Sequence, residues 1–395
     1  MLELIETASH FRRKDCKMSI GLYIHIPFCL KKCNYCDFIS FPVSESKVDS
    51  YLDALEKEME LYRRELDSDD RVIDTLYLGG GTPTCLSGNS LRRVLEASRL
   101  FFNWLPDIEV TVEANPGTLD LPKLKLLRDE GVNRLSLGVQ SFNPRHLVRM
   151  GRQHGVAEIR EAVQMAREVG ITNLSLDLIY GLPGQTLAQW QDTLEEALSL
   201  NPEHLSAYGL KIEEGTPWGE LAARGKISPA GEDLARLMFD EVQKQCREKG
   251  YIHYEISNYA KPGYEARHNL RYWQTRPYLG LGVAAASYID NKRWTNVSDI
   301  NEYQQLLKQR EKPVEEEIVL NLKDQMAETV ILGLRTMEGV SLTDFKARYG
   351  KDLQAIFREE TAKMISAGLL IIDNRHLKLS AMGLPIANIV FEAFV

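Results

Sequence analysis

Three cysteines lie close together in the run Cys29-Leu-Lys-Lys-Cys33-Asn-Tyr-Cys36, directly after the apolar stretch 21–28. Three thiolates can hold three corners of a four-iron cluster. The remaining iron is then open to a small molecule and can act on it, which a fully ligated cluster does not do. The C-x3-C-x2-C spacing therefore predicts a 4Fe-4S cluster on Cys29, Cys33 and Cys36 with one open corner.

Zinc, a disulfide and chance spacing are the alternatives for this triad. A structural zinc site takes four protein ligands, usually in pairs, and the only nearby histidine, His25, precedes the triad on a predicted strand. Disulfides need an oxidising compartment, which nothing in the sequence indicates. Cys16, Cys85 and Cys246 stand apart from the triad, so we expect buried or unreactive thiols there.

The composition indicates a globular chain with room for more than one core. Of its 395 residues, 44% are hydrophobic and 26% are charged, and the net charge is -8. Binding that is dominated by phosphates needs a concentrated positive surface, so we expect no nucleic acid partner. No apolar run approaches the roughly 20 residues that span a bilayer, so we expect a cytoplasmic protein with no transmembrane segment.

Short apolar runs alternate with longer helical patterns over residues 20–212, which is the rhythm of βα units. The predicted strands are Leu22–Ile26, Thr75–Leu78, Glu109–Glu113, Arg134–Val139, Asn173–Tyr180 and His204–Lys211. The predicted helices are Ser46–Leu66, Ser90–Phe102, Pro122–Glu130, Val156–Val169 and Thr186–Leu198. Six units fall short of the eight in a closed barrel. We therefore predict an α/β fold built on a partial, open (β/α)6 TIM-like barrel.

Polar motifs follow five of these strands at their carboxyl ends, where barrels of this kind gather their chemistry. The loop Gly79-Gly-Gly-Thr-Pro-Thr84 lets the backbone approach a ligand closely, because three of its residues carry no Cβ. Glu113, Gln140, Arg152 and Asp177 offer two carboxylates, an amide and a guanidinium. Such a set suits a zwitterionic amino acid and a ribose. An ordinary turn and solvated strand ends are the alternatives.

Three further segments flank the predicted barrel. Residues 1–19 are expected to form an N-terminal extension, with Met1 or Met18 as the start of translation. Residues 213–311 are aromatic-rich and are expected to complete the substrate side of the barrel. A charged linker over 312–317 then leads to residues 318–395, where helices precede a predicted hairpin about Asp373 and Asn374. This order suggests a C-terminal winged-helix-like α+β module, with docking or packing favoured over DNA binding.

The cysteine spacing, with Tyr35 directly before the last cysteine, resembles the signature of the radical S-adenosylmethionine (SAM) superfamily. The resemblance implies that the amino and carboxylate groups of SAM chelate the open iron. It also implies that a reducing electron cleaves SAM to methionine and a 5'-deoxyadenosyl radical. The glycine loop is expected to contact the amino group of SAM.

Additional motifs resemble the oxygen-independent coproporphyrinogen III oxidase family over almost the whole chain. They occupy residues 23–29, 79–84, 113–116, 138–142, 151–152 and 177–183. By motif position, the resemblance implies SAM contacts from Tyr23, Tyr35, Gly80, Gly81, Thr82, Glu113, Gln140, Arg152 and Asp177. It assigns no catalytic residue.

Two departures separate this chain from the oxidases of that family. A fourth cysteine is expected two residues after Cys36, but Phe38 stands there, and Lys211 occupies the position of a small residue that would contact SAM. Both features resemble the haem chaperone branch of the family. That branch implies haem as bound cargo, a recipient haemoprotein such as a respiratory haem enzyme, and an electron donor such as flavodoxin or ferredoxin.

The same branch carries a His-Asn-x-x-Tyr-Trp motif, which here is His268-Asn-Leu-Arg-Tyr272-Trp273. A neutral imidazole or a phenolate can ligate haem iron, so His268 and Tyr272 are candidate haem ligands. A hydrogen-bonded structural histidine is the alternative for His268.

Two other functions stay open at this point. The first is the oxidase reaction, radical decarboxylation of two propionates of coproporphyrinogen III in porphyrin biosynthesis. It needs basic residues around the carboxylates, and Arg267, Arg271 and Arg276 are candidates. The second is a docking module without redox chemistry, which would leave the cysteine triad without a purpose. Whether the chain is an enzyme is undecided, because Phe38 argues against the oxidase while SAM cleavage is compatible with the motifs.

Overall fold

The computed structural model describes residues 19–67 and 71–395. The predictions for Cys16, for the start of translation and for nearly all of the N-terminal extension fall on residues 1–18, which lie outside the described residues. Within the described ranges, no helix combines the length and the apolar character that crossing a bilayer requires.

Six parallel strands form the barrel in the predicted order. They are β1 (Ile20–Ile26), β4 (Val72–Gly80), β5 (Asn103–Ala114), β6 (Arg134–Gln140), β7 (Asn173–Tyr180) and β8 (His204–Gly209). Two short strands, β2 (Phe28–Cys29) and β3 (Phe41–Pro42), pair with each other just after β1. All six predicted strands are confirmed, although the last one ends at Gly209 instead of Lys211.

Helices connect the barrel strands. They are α1 (Glu45–Glu65), α2 (Gly88–Phe101), α3 (Leu121–Asp129), α4 (Pro144–Met150), α5 (Val156–Glu168) and α6 (Leu187–Ser199). The five predicted helices are confirmed, and α4 is an addition. Local caps fix their starts: the Thr186 hydroxyl accepts from the Gln189 N–H while the Gln189 side chain accepts from the Thr186 N–H.

Residues along the barrel strands alternate between an apolar outer layer and a polar interior. In β1, Leu22 and Ile24 belong to the main apolar core, whereas Tyr23 lies between them and lines an interior cavity. In β6, the alternate residues from Arg134 to Gln140 line a second interior cavity. Polar groups inside a barrel are costly unless they are hydrogen-bonded or meet a ligand. The alternation therefore places the functional groups inside the barrel.

The sheet continues beyond the barrel at both edges. At the β8 edge come β9 (Ile252–Glu255) and β10 (Asn258–Ala260); at the β1 edge come β11 (Tyr278–Leu281), β12 (Ala286–Ile289), β13 (Lys292–Asn296) and β14 (Val314–Val319). The intervening helices are α7 (Pro217–Ala223), α8 (Glu232–Glu248), α9 (Arg267–Trp273) and α10 (Ile300–Lys308). The two outermost strands of the sheet, β14 and β9, do not pair with each other, so the barrel is open as predicted.

The linker predicted over residues 312–317 is wrong, because most of it belongs to β14. This strand lies at the edge of the sheet, and nearly all of its side chains are exposed. Solvated acids are compatible with an edge strand and discourage pairing with other chains. Glu317 also lies 3.5 Å from Lys292 of the neighbouring strand β13.

Residues beyond β14 build a second apolar core. Its helices are α11 (Leu322–Gly333), α12 (Leu342–Tyr349), α13 (Leu353–Ile356), α14 (Arg358–Ser366) and α15 (Ala387–Glu392), and its strands are β15 (Val340–Ser341), β16 (Leu370–Asp373) and β17 (His376–Leu379). The predicted hairpin is confirmed, with Asn374 and Arg375 at positive φ in its two-residue turn. The predicted domain boundaries and the winged-helix-like description stay predictions.

Candidate functional site

Cys29 ends β2, and Cys33 and Cys36 lie on the loop between β2 and β3. The parallel pairing of Phe28 with Phe41 closes this loop at its base. Cys29, Cys33 and Cys36 are free thiols, are partly exposed, and all line one cavity. In the described part of the chain, no group of three or more His, Cys, Asp or Glu side chains is arranged to hold a single metal ion.

The donors around the thiols fit a negatively charged cluster. The Arg152 Nη1 atom donates to the Cys33 Sγ atom at 3.5 Å, and its Nη2 atom donates to the Gly138 carbonyl at 2.5 Å. The Thr82 hydroxyl lies 3.5 Å from the Cys29 Sγ atom. A guanidinium beside a thiol favours the thiolate, which is the form that ligates metal. The residues present therefore fit an iron-sulfur cluster with an arginine beside it.

The glycine loop packs directly against the cysteine strand. At Gly81 a Cβ would lie 2.5 Å from the Phe28 carbonyl oxygen, so no larger residue fits without a shift of the backbone. Gly80 has a φ of +108°, a conformation that other residues rarely adopt. The two glycines are therefore required for the close approach between this loop and the residues next to Cys29.

A polar cavity of about 400 Å³ extends from the cysteine loop into the barrel. Its volume is within the range of small-molecule sites. The cavity is lined by these predicted SAM contacts: Tyr35, Gly80, Gly81, Thr82, Glu113, Gln140, Arg152 and Asp177. The remaining predicted contact, Tyr23, lines a neighbouring cavity instead. The structure thus brings together side chains from strands far apart in sequence, as the strand-end motifs predicted.

Two half-buried carboxylates line this cavity. Glu113 accepts a hydrogen bond from the Tyr77 hydroxyl at 2.7 Å and another from the Gly80 N–H at 3.1 Å. Burial raises the pKa of Glu113 to about 7. Asp177 accepts from the hydroxyls of Ser136 and Ser175 at 2.9 and 3.1 Å, and burial raises its pKa as well. A cation in the cavity would favour the ionised form of both groups.

Gln140 ends β6 with a φ of +68°, which is unusual for a residue with a side chain. Its neighbour Gly138 lies close enough that an added Cβ would be 3.0 Å from the Gln140 amide nitrogen. Uncommon backbone conformations of this kind occur often at binding sites, where the surrounding structure holds them. The bend at Gln140 is a feature of the cavity rim that the sequence did not indicate.

A second, aromatic cavity of about 520 Å³ lies between the inner face of the sheet and α11. Its aromatic side chains are Tyr23, Tyr272, Trp273 and Tyr278, and the rings of Tyr272 and Tyr278 meet edge to face at 4.6 Å. At its border Arg293 forms a bidentate ion pair with Glu328 of α11. The sequence motif indicated Tyr272 and Trp273, but it missed Tyr278, which comes from a separate strand.

Helix α9 separates the two cavities. Asn269 lines the polar cavity, whereas Tyr272 and Trp273 line the aromatic one. The helix is held inside the barrel because both Glu109 carboxylate oxygens accept backbone N–H groups at its amino terminus, each at 3.0 Å. The His-Asn-x-x-Tyr-Trp motif therefore contributes side chains to both cavities.

His268 has no ring nitrogen available for a metal in this structure. The side chain is buried, with its Nδ1 atom hydrogen-bonded to the Thr75 hydroxyl at 2.9 Å and its Nε2 atom to the Tyr272 hydroxyl at 2.7 Å. Burial, helped by nearby arginines, lowers its pKa to about 3. This geometry favours the structural alternative for His268. Tyr272 is the better placed of the two predicted haem ligands.

The arginines proposed to grip substrate carboxylates line neither cavity. Arg271 is buried, pairs with Asp74 and donates to the Ser19 and Pro277 carbonyls. Arg276 also lies near Asp74, and Arg267 contacts Asp107. These side chains hold the amino-terminal end of the barrel together, so that prediction is wrong.

The two positions that depart from the oxidase pattern lie at the mouth of the polar cavity. Phe38 lines the mouth and is 63% exposed. Lys211 also lines it and pairs with Glu213 at 2.7 Å. Among the described residues outside the triad, burial raises the pKa of Cys85 and of Cys246 to about 12, which disfavours the reactive thiolate.

Family models match most of this architecture. The radical SAM superfamily model matches residues 23–197, and the HemN C-terminal domain model matches residues 320–386. The solved structure of coproporphyrinogen III oxidase (HemN) from Escherichia coli, a radical SAM enzyme, superposes with a TM-score of 0.84 at 27% identity. That match covers 98% of this chain and 92% of HemN.

Curated relatives named heme chaperone HemW are closer in sequence. The Bacillus subtilis protein is 37% identical over 94% of this chain and 98% of its own length. The Lactococcus lactis protein is 35% identical over 94% of this chain and 96% of its own length. The Escherichia coli protein is 40% identical over 67% of this chain and 69% of its own length. Identity at this level over almost the full length shows the family, so the chain belongs to the HemW haem chaperones within the radical SAM superfamily.

Proposed function

We propose that this chain binds haem and supports its insertion into a recipient haemoprotein, and that it carries a 4Fe-4S cluster and SAM. The observation that supports the proposal most directly is the pair of adjoining cavities divided by α9, one polar and beside the cysteines, the other aromatic. Two different ligands, a cationic amino-acid nucleoside and a flat macrocycle, suit these two linings.

In the polar cavity, Cys29, Cys33 and Cys36 would hold the cluster, which supplies the electron that cleaves SAM. Gly80 and Gly81 line the cavity and pack against His25 and Phe28, so that their backbone lies beside the cysteines where the amino-acid end of SAM would bind. Glu113 and Asp177, when ionised, attract the sulfonium cation and accept hydrogen bonds from a ribose. Tyr77 holds the Glu113 carboxylate in place through its hydroxyl. These residues bind and orient SAM, and the walls of the barrel limit access of water.

In the aromatic cavity, the rings of Trp273 and Tyr278 offer apolar faces to the haem macrocycle. Tyr272 is the candidate ligand of the haem iron, because it lines the aromatic cavity whereas the buried His268 lines neither cavity. Tyrosinate is a known ligand of haem iron. The hydrogen bond between the Tyr272 hydroxyl and the His268 Nε2 atom fixes the direction in which the Tyr272 oxygen points.

The partners and compartment follow from the same proposal. A respiratory haem enzyme is the kind of recipient that we propose, and a flavodoxin or ferredoxin is the kind of electron donor. The cytoplasm is the proposed compartment, because its reducing conditions keep isolated thiols such as Cys85 and Cys246 reduced.

The oxidase reaction is the second candidate, favoured by the structural likeness to HemN. Against it stand Phe38 in place of the expected fourth cysteine and the absence of Arg267, Arg271 and Arg276 from the linings of both cavities. Anaerobic reconstitution followed by a haem titration and an oxidase assay on the same sample separates the two functions. We expect stoichiometric haem binding and no protoporphyrinogen. Product formation without haem binding would overturn the proposal.

A further inference from the structure

Arg134 stands out among the charged groups inside the barrel, because its side chain is buried and donates no hydrogen bond to any described residue. It is the first residue of β6, is 2% exposed, and lines the polar cavity. Its Nε atom is buried without a partner. An arginine presents five N–H donors in a planar fork, so this position leaves a strong set of donors unmatched.

The acids nearest to Arg134 do not accept its donors. Glu109 uses both carboxylate oxygens on the backbone N–H groups of α9. Asp177 accepts from Ser136 and Ser175, and the Tyr77 hydroxyl donates to Glu113. These groups balance the charge of Arg134 through space. They do not satisfy its hydrogen bonds, so the geometry calls for an acceptor that enters from the cavity.

The position of Arg134 places that acceptor far from the cysteine loop. Arg134 and Gln140 are at opposite ends of β6, and a strand rises about 3.3 Å per residue, so their Cα atoms are about 20 Å apart. A carboxylate near the cysteines meets Arg152, which contacts Cys33. The acceptor at Arg134 therefore belongs to a different ligand group from the one held at the rim.

We infer that Arg134 anchors a carboxylate of a second ligand, and that this carboxylate reaches the inner end of the polar cavity from the aromatic cavity, past α9. The planar fork of arginine matches a carboxylate in two parallel hydrogen bonds. The inference rests on the proposed function in one respect: it takes the propionates of haem as the carboxylates. Arg134 lies on the polar side of α9, whose other residues line the aromatic cavity.

The test compares each carboxylate ligand with an analogue that lacks the carboxylate. Haem is titrated against haem dimethyl ester, coproporphyrin III against its tetramethyl ester, and SAM against decarboxylated SAM. The proteins are the cluster-loaded wild type, Arg134→Gln and Arg134→Lys. Arg224→Gln removes one partner of an exposed ion pair with Glu220 directly after the end of α7, and it is the matched control for net charge.

We expect Arg134→Gln to weaken binding of the porphyrin acids about 10- to 100-fold, the range for a hydrogen bond between charged groups. The esters should bind within twofold of wild type. Arg134→Lys keeps the charge but not the fork, so it should lose less, and it serves as the test if the glutamine variant does not fold. Arg224→Gln should leave all affinities unchanged.

Four results would overturn the inference. Equal losses for the acids and the esters would show a structural role, and no loss would show that water satisfies Arg134. If Arg134→Gln weakened the binding of SAM but not of decarboxylated SAM, and left porphyrin binding unchanged, the carboxylate held by Arg134 would be that of SAM. If the wild type binds no haem, the proposed function fails. The role of Arg134 is then tested by comparing coproporphyrin III with its tetramethyl ester. If the wild type bound neither haem nor coproporphyrin III, Arg134 would not anchor a porphyrin carboxylate.

Discussion

Glu113 offers a direct test of how the polar cavity binds SAM. The carboxylate is half-buried, accepts hydrogen bonds from Tyr77 and Gly80, and has a pKa raised to about 7. A unit charge about 5 Å away at an effective dielectric constant of 20 interacts with it by about 3 kcal/mol. Glu113→Gln should therefore weaken SAM binding by up to about 100-fold at pH 8. Isothermal titration of cluster-loaded protein measures the change.

The pH dependence gives the sign of the effect. Below pH 7 the Glu113 carboxyl is protonated in the free protein, so SAM affinity of the wild type should fall as the pH is lowered from 8 to 6. In Glu113→Gln the SAM affinity should depend less on pH. The pH dependence that remains is expected to come from Asp177, whose pKa is also raised. Glu113→Asp keeps the charge and should keep most of the slope. An unchanged affinity at pH 8, or an equal slope in Glu113→Gln, would refute the electrostatic reasoning.

Three further predictions address the cluster, the glycine loop and a buried acid. Replacing the cysteine triad with alanine should abolish the brown absorbance and the iron content, and full iron retention would count against the assignment. Gly81→Ala should reduce SAM affinity at least tenfold, because its Cβ would lie 2.5 Å from the Phe28 carbonyl, whereas Gly231→Ala has open space and should change little. Burial raises the pKa of Glu58 to about 7. Its contribution to stability is therefore full below about pH 4.5 and is lost as the pH rises through 7, by up to about 3 kcal/mol. Urea unfolding should show that Glu58→Gln flattens this dependence, and an identical slope in both proteins would contradict it.

The barrel strands could be predicted from the sequence because their signal is local. Each is a short apolar run followed by a polar motif, and Asn173–Tyr180 is found with the same bounds as predicted. The parallel order then brings the strand ends to one rim, which is why most of the residues predicted to contact SAM line a single cavity. The edge strand β14 was missed because Val-Glu-Glu-Glu-Ile-Val has neither apolar alternation nor a buried face.

The division of the interior could not be predicted, because it depends on contacts between distant residues. The backbone N–H of His268 reaches Glu109 across 159 positions, and the Thr75 hydroxyl reaches the His268 ring across 193. No local pattern indicates that α9 lies inside the barrel. For the same reason Arg271, whose sequence surroundings resemble those of a surface arginine, proves to be buried against Asp74.

The most direct test of the account is whether the open iron binds SAM. Electron-nuclear double resonance on the reduced, reconstituted protein with isotope-labelled SAM reports contact between the cluster and individual SAM atoms. We predict hyperfine coupling from both the amino nitrogen and the carboxylate oxygen of SAM. Tight SAM binding without either coupling would contradict the central claim that three cysteines leave one iron free for this ligand.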